Sequence, residues 1–340
     1  MGPTSKLAQL RFDMQKRFVA RREDVPGTEW LARFVAGRAE AEAWYRSGGR
    51  AVSPTAEECA AQLKRHMPEL VQPYEHACAL VGTDELAPQI LSQYRPQPVS
   101  HGCTQVVWLG KDGPALVRNY DFPLEVVSDG FESTRWLGRE VISKAQRPWG
   151  GCLDGMNADG LVASLTFGGS PAQGAGFAII LIVRYVLETC SRVAEAVSAL
   201  SRIPVALSQN VTILDKAGDH ATVYLNPDSR SVVARDAVCT NHQKLVDSGA
   251  ISGAIARSMA RQTAALQSLE APDATLPKLL GTFLRPPIYS RRADSPTVYS
   301  AVYRPCAGTV DYVWPGNVMS QRIKAFRTGE YVHEYGTLTE

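Results

Sequence analysis

The pattern of apolar and polar positions divides the chain near residue 95 into a helical part and a part rich in strands. Before this point, apolar residues recur three and four positions apart among Arg and Glu, which is typical of amphipathic helices. The segments with this spacing are Thr28–Phe34, Glu40–Tyr45, Ala56–Leu70, Glu75–Leu80 and Glu85–Tyr94. Arg95-Pro-Gln-Pro98 follows, and its two prolines predict an extended linker between the two parts.

An alternating run of residues begins shortly after this linker. Thr104–Leu109 alternates, a turn with two glycines at Gly110-Lys111-Asp112-Gly113 follows, and a second alternating run comes next. This arrangement predicts a β-hairpin. Cys103 opens the first strand, and the second strand carries Arg118 and Asp121 back toward that start. The hairpin alone therefore places a thiol, a guanidinium and a carboxylate near one another.

The rest of the chain alternates between strand-like and helix-like stretches. We expect Leu124–Arg147 to be irregular and partly helical, and residues 250–285 to be helical. Phe177–Leu200 has the broadest apolar stripe and predicts the strongest helix. The predicted strands are Gly150–Asp154, Gly160–Phe167, Asn210–Asp215, Ala221–Leu225, Ser231–Arg235, Val238–Asn241, and a final hairpin of Thr297–Tyr303 and Thr309–Trp314. Short turns between consecutive strands favour antiparallel sheets with helices on their outer faces, a layered α+β fold.

Composition narrows the functional classes. The 340 residues are 45% hydrophobic and 21% charged with a formal net charge of +2, which gives no electrostatic basis for binding nucleic acid or an anionic membrane. The seven cysteines are odd in number and contain no CxxC pair, which argues against a disulfide framework or a zinc site. No signal-peptide pattern opens the chain, and Phe177–Val183 is far shorter than the ~20 apolar residues that span a bilayer. We therefore expect a reduced, cytoplasmic protein without metal or organic cofactor.

A catalytic cysteine needs a group that accepts its proton, because the thiolate is the nucleophile. One candidate is a histidine, and the sequence offers His101 and His242. The other is the α-amine of the cysteine itself, which becomes available only if the Gly102–Cys103 peptide bond is cut. The residues alone leave both routes open.

Gly102-Cys103-Thr104 followed by Arg118-Asn-Tyr-Asp121-Phe-Pro resembles the N-terminal-nucleophile hydrolases that act on linear amides. The long helical leader makes the chain most similar to the isopenicillin-N acyltransferase family, with bile-salt hydrolases and penicillin V acylases as more distant relatives. The resemblance implies a four-layer αββα fold and autocatalytic removal of everything before the cysteine. It also implies that a leader, residues 1–102, stays bound as a small subunit to a catalytic domain, residues 103–340.

The resemblance also implies roles for single residues around the junction. It assigns Cys103 as the nucleophile and Gly102 as the residue that loses its peptide bond. Asp121 falls on the carboxylate that holds the freed α-amine. Arg118 falls on an arginine close to the sulfur, where its positive charge favours the thiolate.

Further positions follow from the same resemblance in the second half of the chain. Asn241 falls on an asparagine whose side-chain amide contributes to the oxyanion hole. Thr166 falls on a second oxyanion donor, and its backbone N–H is the safer assignment. Arg291 or Arg292 falls on an arginine that precedes the last hairpin, and the sequence does not decide between them.

The sequence therefore predicts a self-processing N-terminal-cysteine enzyme that hydrolyses or forms an amide bond through an acyl-cysteine thioester. Its partners are expected to be a small N-acyl amide or acyl thioester and its own leader. One alternative is a protein of the same fold that has lost catalysis and binds a ligand. Another is an uncleaved Cys–His enzyme that uses His242.

Overall fold

The described part of the chain contains eight α-helices and fifteen strands. A computed structural model describes residues 14–46, 53–98, 102–146, 150–243 and 252–338. The helices are α1 (Thr28–Arg46), α2 (Ala56–His66), α3 (Val71–Val81), α4 (Ala87–Ser92), α5 (Ile179–Thr189), α6 (Val193–Arg202), α7 (Gly253–Leu269) and α8 (Leu276–Phe283). The strands are β1 (Gln15–Arg22), β2 (Gly102–Gly110), β3 (Gly113–Asp121), β4 (Gly130–Thr134), β5 (Val141–Gln146), β6 (Gly151–Asn157), β7 (Val162–Phe167), β8 (Gln209–Leu214), β9 (His220–Asn226), β10 (Ser229–Ala234), β11 (Val238–Cys239), β12 (Thr297–Arg304), β13 (Thr309–Trp314), β14 (Asn317–Arg322) and β15 (Gly329–Glu334).

These strands form two sheets that face each other. Sheet 1 has the order β10-β9-β8-β7-β6-β5-β4-β1-β15, and sheet 2 has the order β11-β2-β3-β12-β13-β14. Aromatic side chains meet between them, as where the Phe131 ring of β4 lies 5.5 Å from the Tyr299 ring of β12. Helices α5 and α6 cover the outer face of sheet 1, and α7 and α8 cover that of sheet 2. The α+β class and the four-layer αββα arrangement are therefore confirmed.

The hairpin at the centre of sheet 2 forms as the alternation predicted. Strands β2 and β3 pair from Gly102↔Asp121 and Cys103↔Tyr120 to Gly110↔Gly113 at the turn. Gly113 has a φ of +88°, a backbone conformation that favours glycine. The turn residues thus set the register, and the register sets which side chains lie beside Cys103.

The expectation that residues 1 to about 95 are largely helical is wrong at one end, because β1 is a strand. Phe18 and Ala20 are buried and alternate with more exposed neighbours, as in a half-buried strand. Strand β1 lies between β4 and β15, parallel to the first and antiparallel to the second. Its partners are distant along the chain, so local spacing alone did not reveal it. This parallel pair also qualifies the expectation of antiparallel sheets.

Three further expectations are corrected. The described stretch 124–146 begins with a short 3-10 helix, Leu124–Val126, but its main elements are strands β4 and β5, and β14 and β15 follow the hairpin expected to be final. The single helix expected over Phe177–Leu200 is two helices, α5 and α6. They separate at Cys190–Arg192. Glu195, in the first turn of α6, accepts a hydrogen bond from the Ser191 backbone N–H (2.7 Å) and so stabilises the start of the second helix. Phe177 itself forms β-bridges instead of helix.

Candidate active site

Cys103 and Arg118 lie side by side on the hairpin, facing the space between the two sheets. Arg118 Nη2 donates to Cys103 Sγ at 3.3 Å, and both side chains are fully buried. Burial raises the pKa of the Cys103 thiol to about 11, with the Arg118 charge acting in the opposite direction. The intact chain therefore holds a protonated, enclosed thiol beside a fixed cation that favours its ionised form.

Arg118 is anchored by what we call the inter-sheet cluster, which consists of Arg118, Asp154, Tyr299 and Tyr303. Its Nη1 donates to Asp154 Oδ2 (2.5 Å) and to the Leu153 carbonyl (3.2 Å). The hydroxyls of Tyr299 and Tyr303 also donate to the Asp154 carboxylate. Although burial opposes its charge, Asp154 holds the pKa of Arg118 above its usual value. The cluster thus fixes a guanidinium next to the sulfur.

Asp121 lies on the opposite side of the junction, directly across from Gly102 in the strand pairing. Thr297 Oγ1 donates to Asp121 Oδ1 (2.7 Å), and Arg261 Nη1 donates to Asp121 Oδ2 (3.0 Å). A Cβ on Gly102 would stand 2.8 Å from Asp121 Cβ, closer than packing allows. Glycine at position 102 is therefore what lets the carboxylate approach the junction.

Asn241 follows β11 and completes the surroundings of the Cys103 nitrogen. Its Oδ1 accepts from the Cys103 backbone N–H (2.7 Å) and from Arg261 Nη2 (2.6 Å). Because both donors point at the oxygen, the orientation of the amide is fixed. Its own backbone N–H donates to Ser258 Oγ (2.7 Å). The Nδ2 group is buried without a hydrogen-bond partner in the described part of the chain, and it is a donor available to an oxyanion.

Helix α7 supplies two of these contacts from one face. Ser258 and Arg261 stand three residues apart, which places them together on a helix. Arg261 is only 11% exposed and bridges Asp121 to Asn241. We call Asp121, Asn241, Ser258 and Arg261 the helix-side cluster. The chain thus surrounds Cys103 with two charged groups of residues, one between the sheets and one under α7.

Thr166 lies on β7 and uses its side chain away from Cys103. Its hydroxyl donates to the Thr240 carbonyl (2.9 Å) and accepts from Asn210 Nδ2 (3.0 Å). The hydroxyl thereby supports the backbone that carries Asn241. The predicted role of Thr166 as a second oxyanion donor stays a prediction, and the hydroxyl is already used in these two hydrogen bonds.

The contacts of the described residues do not bring His242, Arg291 or Arg292 to the thiol. His242 directs Nδ1 toward Ser258 Oγ (2.8 Å) and Thr240 Oγ1 (3.2 Å). The hydrogen bond to the Cys103 sulfur comes from Arg118 instead. Arg292 pairs with Asp294 at the surface, and Arg291 is exposed. His101 lies outside the described residues. The arginine that reaches the junction from the second half of the chain is Arg261, which the sequence reasoning did not single out.

Sequence reasoning missed Asp154, which anchors Arg118, and Arg261, which bridges Asp121 and Asn241. Asp154 is a fully buried carboxylate between Leu153 and Met156 in a strand, and such a position signals a buried partner. Arg261 falls between Ser258 and Ala265 at helical spacing, so it interrupts the buried stripe of α7. Both signals are present in the sequence, but neither names the partner.

A cavity of about 410 Å³ lies between residues 16–37 and residues 125–150. Trp30 of α1 and Trp136 contribute to its walls. Its arginines are already paired, Arg21 with Asp129 (2.9 Å) and Arg33 with Glu23 (3.1 Å). Cys103 is not among the described residues that line it.

The described residues include no group of three or more His, Cys, Asp or Glu side chains arranged to hold a metal ion. Their helices are all too short or too polar to cross a membrane.

Comparisons with solved structures give distant likenesses. A mutant conjugated bile acid hydrolase from Clostridium perfringens is 14% identical with a TM-score of 0.49, over 70% of this chain and 99% of that one. Penicillin V acylase from Agrobacterium tumefaciens is 18% identical with a TM-score of 0.44, over 65% and 86%. The N-acylethanolamine-hydrolyzing acid amidase orthologue of Caenorhabditis elegans is 16% identical with a TM-score of 0.43, over 60% and 93%. No curated protein sequence matches the chain.

A family model gives a broader match. Residues 108–318, more than half of the chain, match acyl-coenzyme A:6-aminopenicillanic acid acyl-transferase. The matched range includes Arg118, Asp121 and Asn241 and begins five residues after Cys103. The family resemblance read from the Gly102–Cys103 junction and the hairpin is thereby confirmed. The chain belongs to the acyl-coenzyme A:6-aminopenicillanic acid acyl-transferase family.

Proposed function

We propose that this chain cuts its own Gly102–Cys103 peptide bond and then uses Cys103 as an N-terminal nucleophile for acyl transfer. The observation that carries this proposal is the convergence of three kinds of group on one peptide junction. Arg118 lies at the sulfur, Asp121 lies across from Gly102, and Asn241 accepts from the Cys103 nitrogen. An ordinary buried cysteine needs none of these neighbours.

Self-cleavage begins with attack of the Cys103 sulfur on the Gly102 carbonyl carbon. An S–C bond forms, the C–N bond to Cys103 breaks, and the thiol proton ends on the departing nitrogen. Water then hydrolyses the thioester, which releases a Gly102 carboxylate and restores the thiol. The Asn241 contact holds the departing nitrogen, and the missing side chain at Gly102 leaves the carbonyl open to attack.

The same cut would divide the chain into a leader, residues 1–102, and a catalytic domain, residues 103–340. Strand β1 of the leader is paired on both sides by strands of the catalytic domain. The Tyr185 hydroxyl of α5 also donates to the leader residue Glu69 (2.9 Å). Breaking one peptide bond removes none of these contacts. They support a leader that stays bound as a small subunit after cleavage.

Turnover uses the amine that cleavage creates. The neutral α-amine of Cys103 accepts the thiol proton, and the sulfur attacks the carbonyl of an amide or thioester. The unpartnered Nδ2 of Asn241 and the Thr166 backbone N–H would donate to the developing oxyanion. The leaving amine or thiol takes the proton, and the acyl group stays on sulfur until water or an amine removes it.

The substrate class follows from this chemistry and from the family. An acyl-coenzyme A is an acyl thioester and 6-aminopenicillanic acid is an amine, so the family name describes a donor and an acceptor that fit an acyl-cysteine intermediate. We propose a small N-acyl amide or acyl thioester as the donor. The acceptor is water or an amine. Hydrolysis is slightly favoured over transfer to an amine, because a thioester that is exposed to water hydrolyses unless the site excludes the water.

The decisive experiment measures the intact masses of the purified wild type and of Cys103→Ala after incubation. The wild type should give fragments of 102 and 238 residues, the two parts of the 340-residue chain, whereas Cys103→Ala should remain one chain. Cys152→Ala is the matched control. Cys152 is also fully buried and burial also raises its pKa to about 11, but it lies away from the junction and should leave cleavage intact.

Two outcomes would contradict the proposal. An uncut wild type after long incubation would favour a binding protein of the same fold or an uncleaved Cys–His enzyme. His242→Ala separates those two, because only the Cys–His enzyme loses activity with it. Cleavage that survives Cys103→Ala would assign the cut to another group.

A further inference from the structure

The helix-side cluster contains an arginine that does not reach the sulfur. Arg261 bridges Asp121 Oδ2 (3.0 Å) and Asn241 Oδ1 (2.6 Å), and Asn241 in turn accepts from the Cys103 nitrogen. The sulfur already has its own cation in Arg118. Arg261 is therefore placed to act on the nitrogen of Cys103, through the two residues that hold it.

The charge at this nitrogen decides whether it can serve as a base. An α-amine has an ordinary pKa of about 7.7–8.0, and a bare carboxylate beside it favours the ammonium form. An ammonium cannot accept the thiol proton. Asp121 alone would thus hold the amine in place and also impair it as a base. A guanidinium paired with Asp121 removes that conflict.

Other charged groups lie near this nitrogen, and among the described residues Arg261 is the one cation paired with Asp121. The charged and titratable groups that act on the junction, directly or through a neighbour, include Arg118, Tyr120 and Asp121 on β3, Asp154 on β6, His242 after β11, Arg261 on α7, Tyr289 after α8, and Tyr299 and Tyr303 on β12. Arg118 is committed to Asp154. Burial raises the pKa of Asp121, and Arg261 is the strongest influence in the opposite direction.

We propose that Arg261 is a positioning residue that holds Asp121 and Asn241 around the Cys103 nitrogen and keeps the freed α-amine neutral by compensating the Asp121 charge. This inference rests on the proposed self-cleavage. Ser258, one turn earlier on α7, accepts a hydrogen bond from the Asn241 backbone N–H. The packing of this one helix therefore positions Asn241 and also places Arg261 beside Asp121. Arg291 and Arg292 play no part in it.

The test is the pH dependence of kcat/KM for the cleaved wild type, Arg261→Gln and Arg261→Lys, because its acid limb reports the pKa of the base in the free enzyme. With Arg261→Gln the uncompensated carboxylate should move the acid limb up by about one pH unit or more. Arg261→Lys keeps the charge but cannot bridge both partners. Its acid limb should stay close to that of the wild type, while kcat falls and KM holds, since Arg261 contacts no substrate.

Arg257→Gln is the matched control, because it removes an exposed charge from the same helix and should leave the profile unchanged. An acid limb of Arg261→Gln that coincides with that of the wild type would overturn the charge compensation. If Arg261→Gln does not fold, Arg261→Lys still tests both roles.

A shifted acid limb in Arg261→Lys would overturn the role of the charge, and a wild-type kcat in Arg261→Lys would overturn the bridging role. A wild type that never cleaves overturns the proposed function and this inference together, whereas the other outcomes concern Arg261 alone.

Discussion

The two clusters beside Cys103 differ in what holds them. The inter-sheet cluster is built on β3, β6 and β12, and Arg118, Asp154, Tyr299 and Tyr303 are all fully buried. The helix-side cluster depends on α7, and its arginine keeps some exposure. One side is therefore fixed by strand register, and the other by how a helix packs on a sheet.

This difference matches the two tasks of the proposed mechanism. The sulfur needs a constant positive charge, and a fully enclosed ion pair with several hydrogen bonds supplies one. The nitrogen must change from a peptide amide to an amine that gains and loses a proton. Its neighbours are Asp121, Asn241 and Arg261, and Arg261 joins the other two by hydrogen bonds from α7. Mutations on the two sides should therefore affect different quantities, stability on one and rate on the other.

The largest effect on stability is expected from Asp154→Ala, which leaves Arg118 buried without its carboxylate. Removing one partner of a buried pair costs about 3–5 kcal/mol, and urea unfolding in a Cys103→Ala background, where the chain stays whole, measures this loss. Asp311→Ala is the control, because the Asp311–Arg304 pair is partly exposed and should cost about 1 kcal/mol or less. Equal losses in the two variants would contradict the special role of the enclosed pair.

The largest effect on rate is expected from Asn241→Ala on the helix side. Loss of one oxyanion donor typically lowers kcat by about 10²–10³, and here the substitution also removes the acceptor that holds the Cys103 nitrogen. Single-turnover cleavage and steady-state kcat measure the two consequences. Asn226→Ala, at the end of β9 away from the junction, should change neither. A stability loss without a rate loss in Asn241→Ala would place Asn241 among structural residues.

A smaller effect on both quantities is expected from Gly102→Ala. The added methyl group would meet Asp121 at 2.8 Å, and overpacking of this kind costs about 1–3 kcal/mol. Self-cleavage should slow, because Asp121 and Arg261 must shift. Gly281→Ala gives the opposite sign, since that helical glycine has open space around it and alanine favours the helix by about 1 kcal/mol. Unchanged cleavage in Gly102→Ala would show that the close approach is not needed.

The sequence predicted the hairpin residues Arg118 and Asp121 better than the residues that anchor them, Asp154 and Arg261, and the reason is physical. Hairpin register is local, so the turn at Gly110–Gly113 was enough to bring Arg118 and Asp121 to the start of β2. The anchor Asp154 and the strand β1 depend on pairing between distant segments. Arg261 depends on the docking of α7 on sheet 2. The family resemblance supplied Asn241, which local spacing alone would have left as a turn residue.

The last prediction is a pH dependence of stability and concerns Lys144, a lysine on the inter-sheet side that is paired in register with Asp154. Burial lowers the pKa of Lys144 to about 7, and its Nζ donates to the carbonyls of Ser128 (2.7 Å) and Ala145 (2.9 Å). Above pH 7 the unfolded chain holds a proton on this lysine that the folded chain has lost. The free energy of unfolding should therefore rise with pH between about 7 and the ordinary lysine pKa of about 10.4.

Lys144→Met should remove this part of the pH dependence. Urea unfolding of the Cys103→Ala chain with and without Lys144→Met, at pH values from neutral to mildly alkaline, measures the difference between the two slopes. That difference should approach about 1.4 kcal/mol per pH unit, the value for one proton. Lys278→Met, at an exposed lysine, is the control and should keep the slope. Parallel curves for Lys144→Met and its parent would mean that Lys144 stays charged between the sheets. Asp154 would then have two neighbouring cations, Arg118 and Lys144, rather than Arg118 alone.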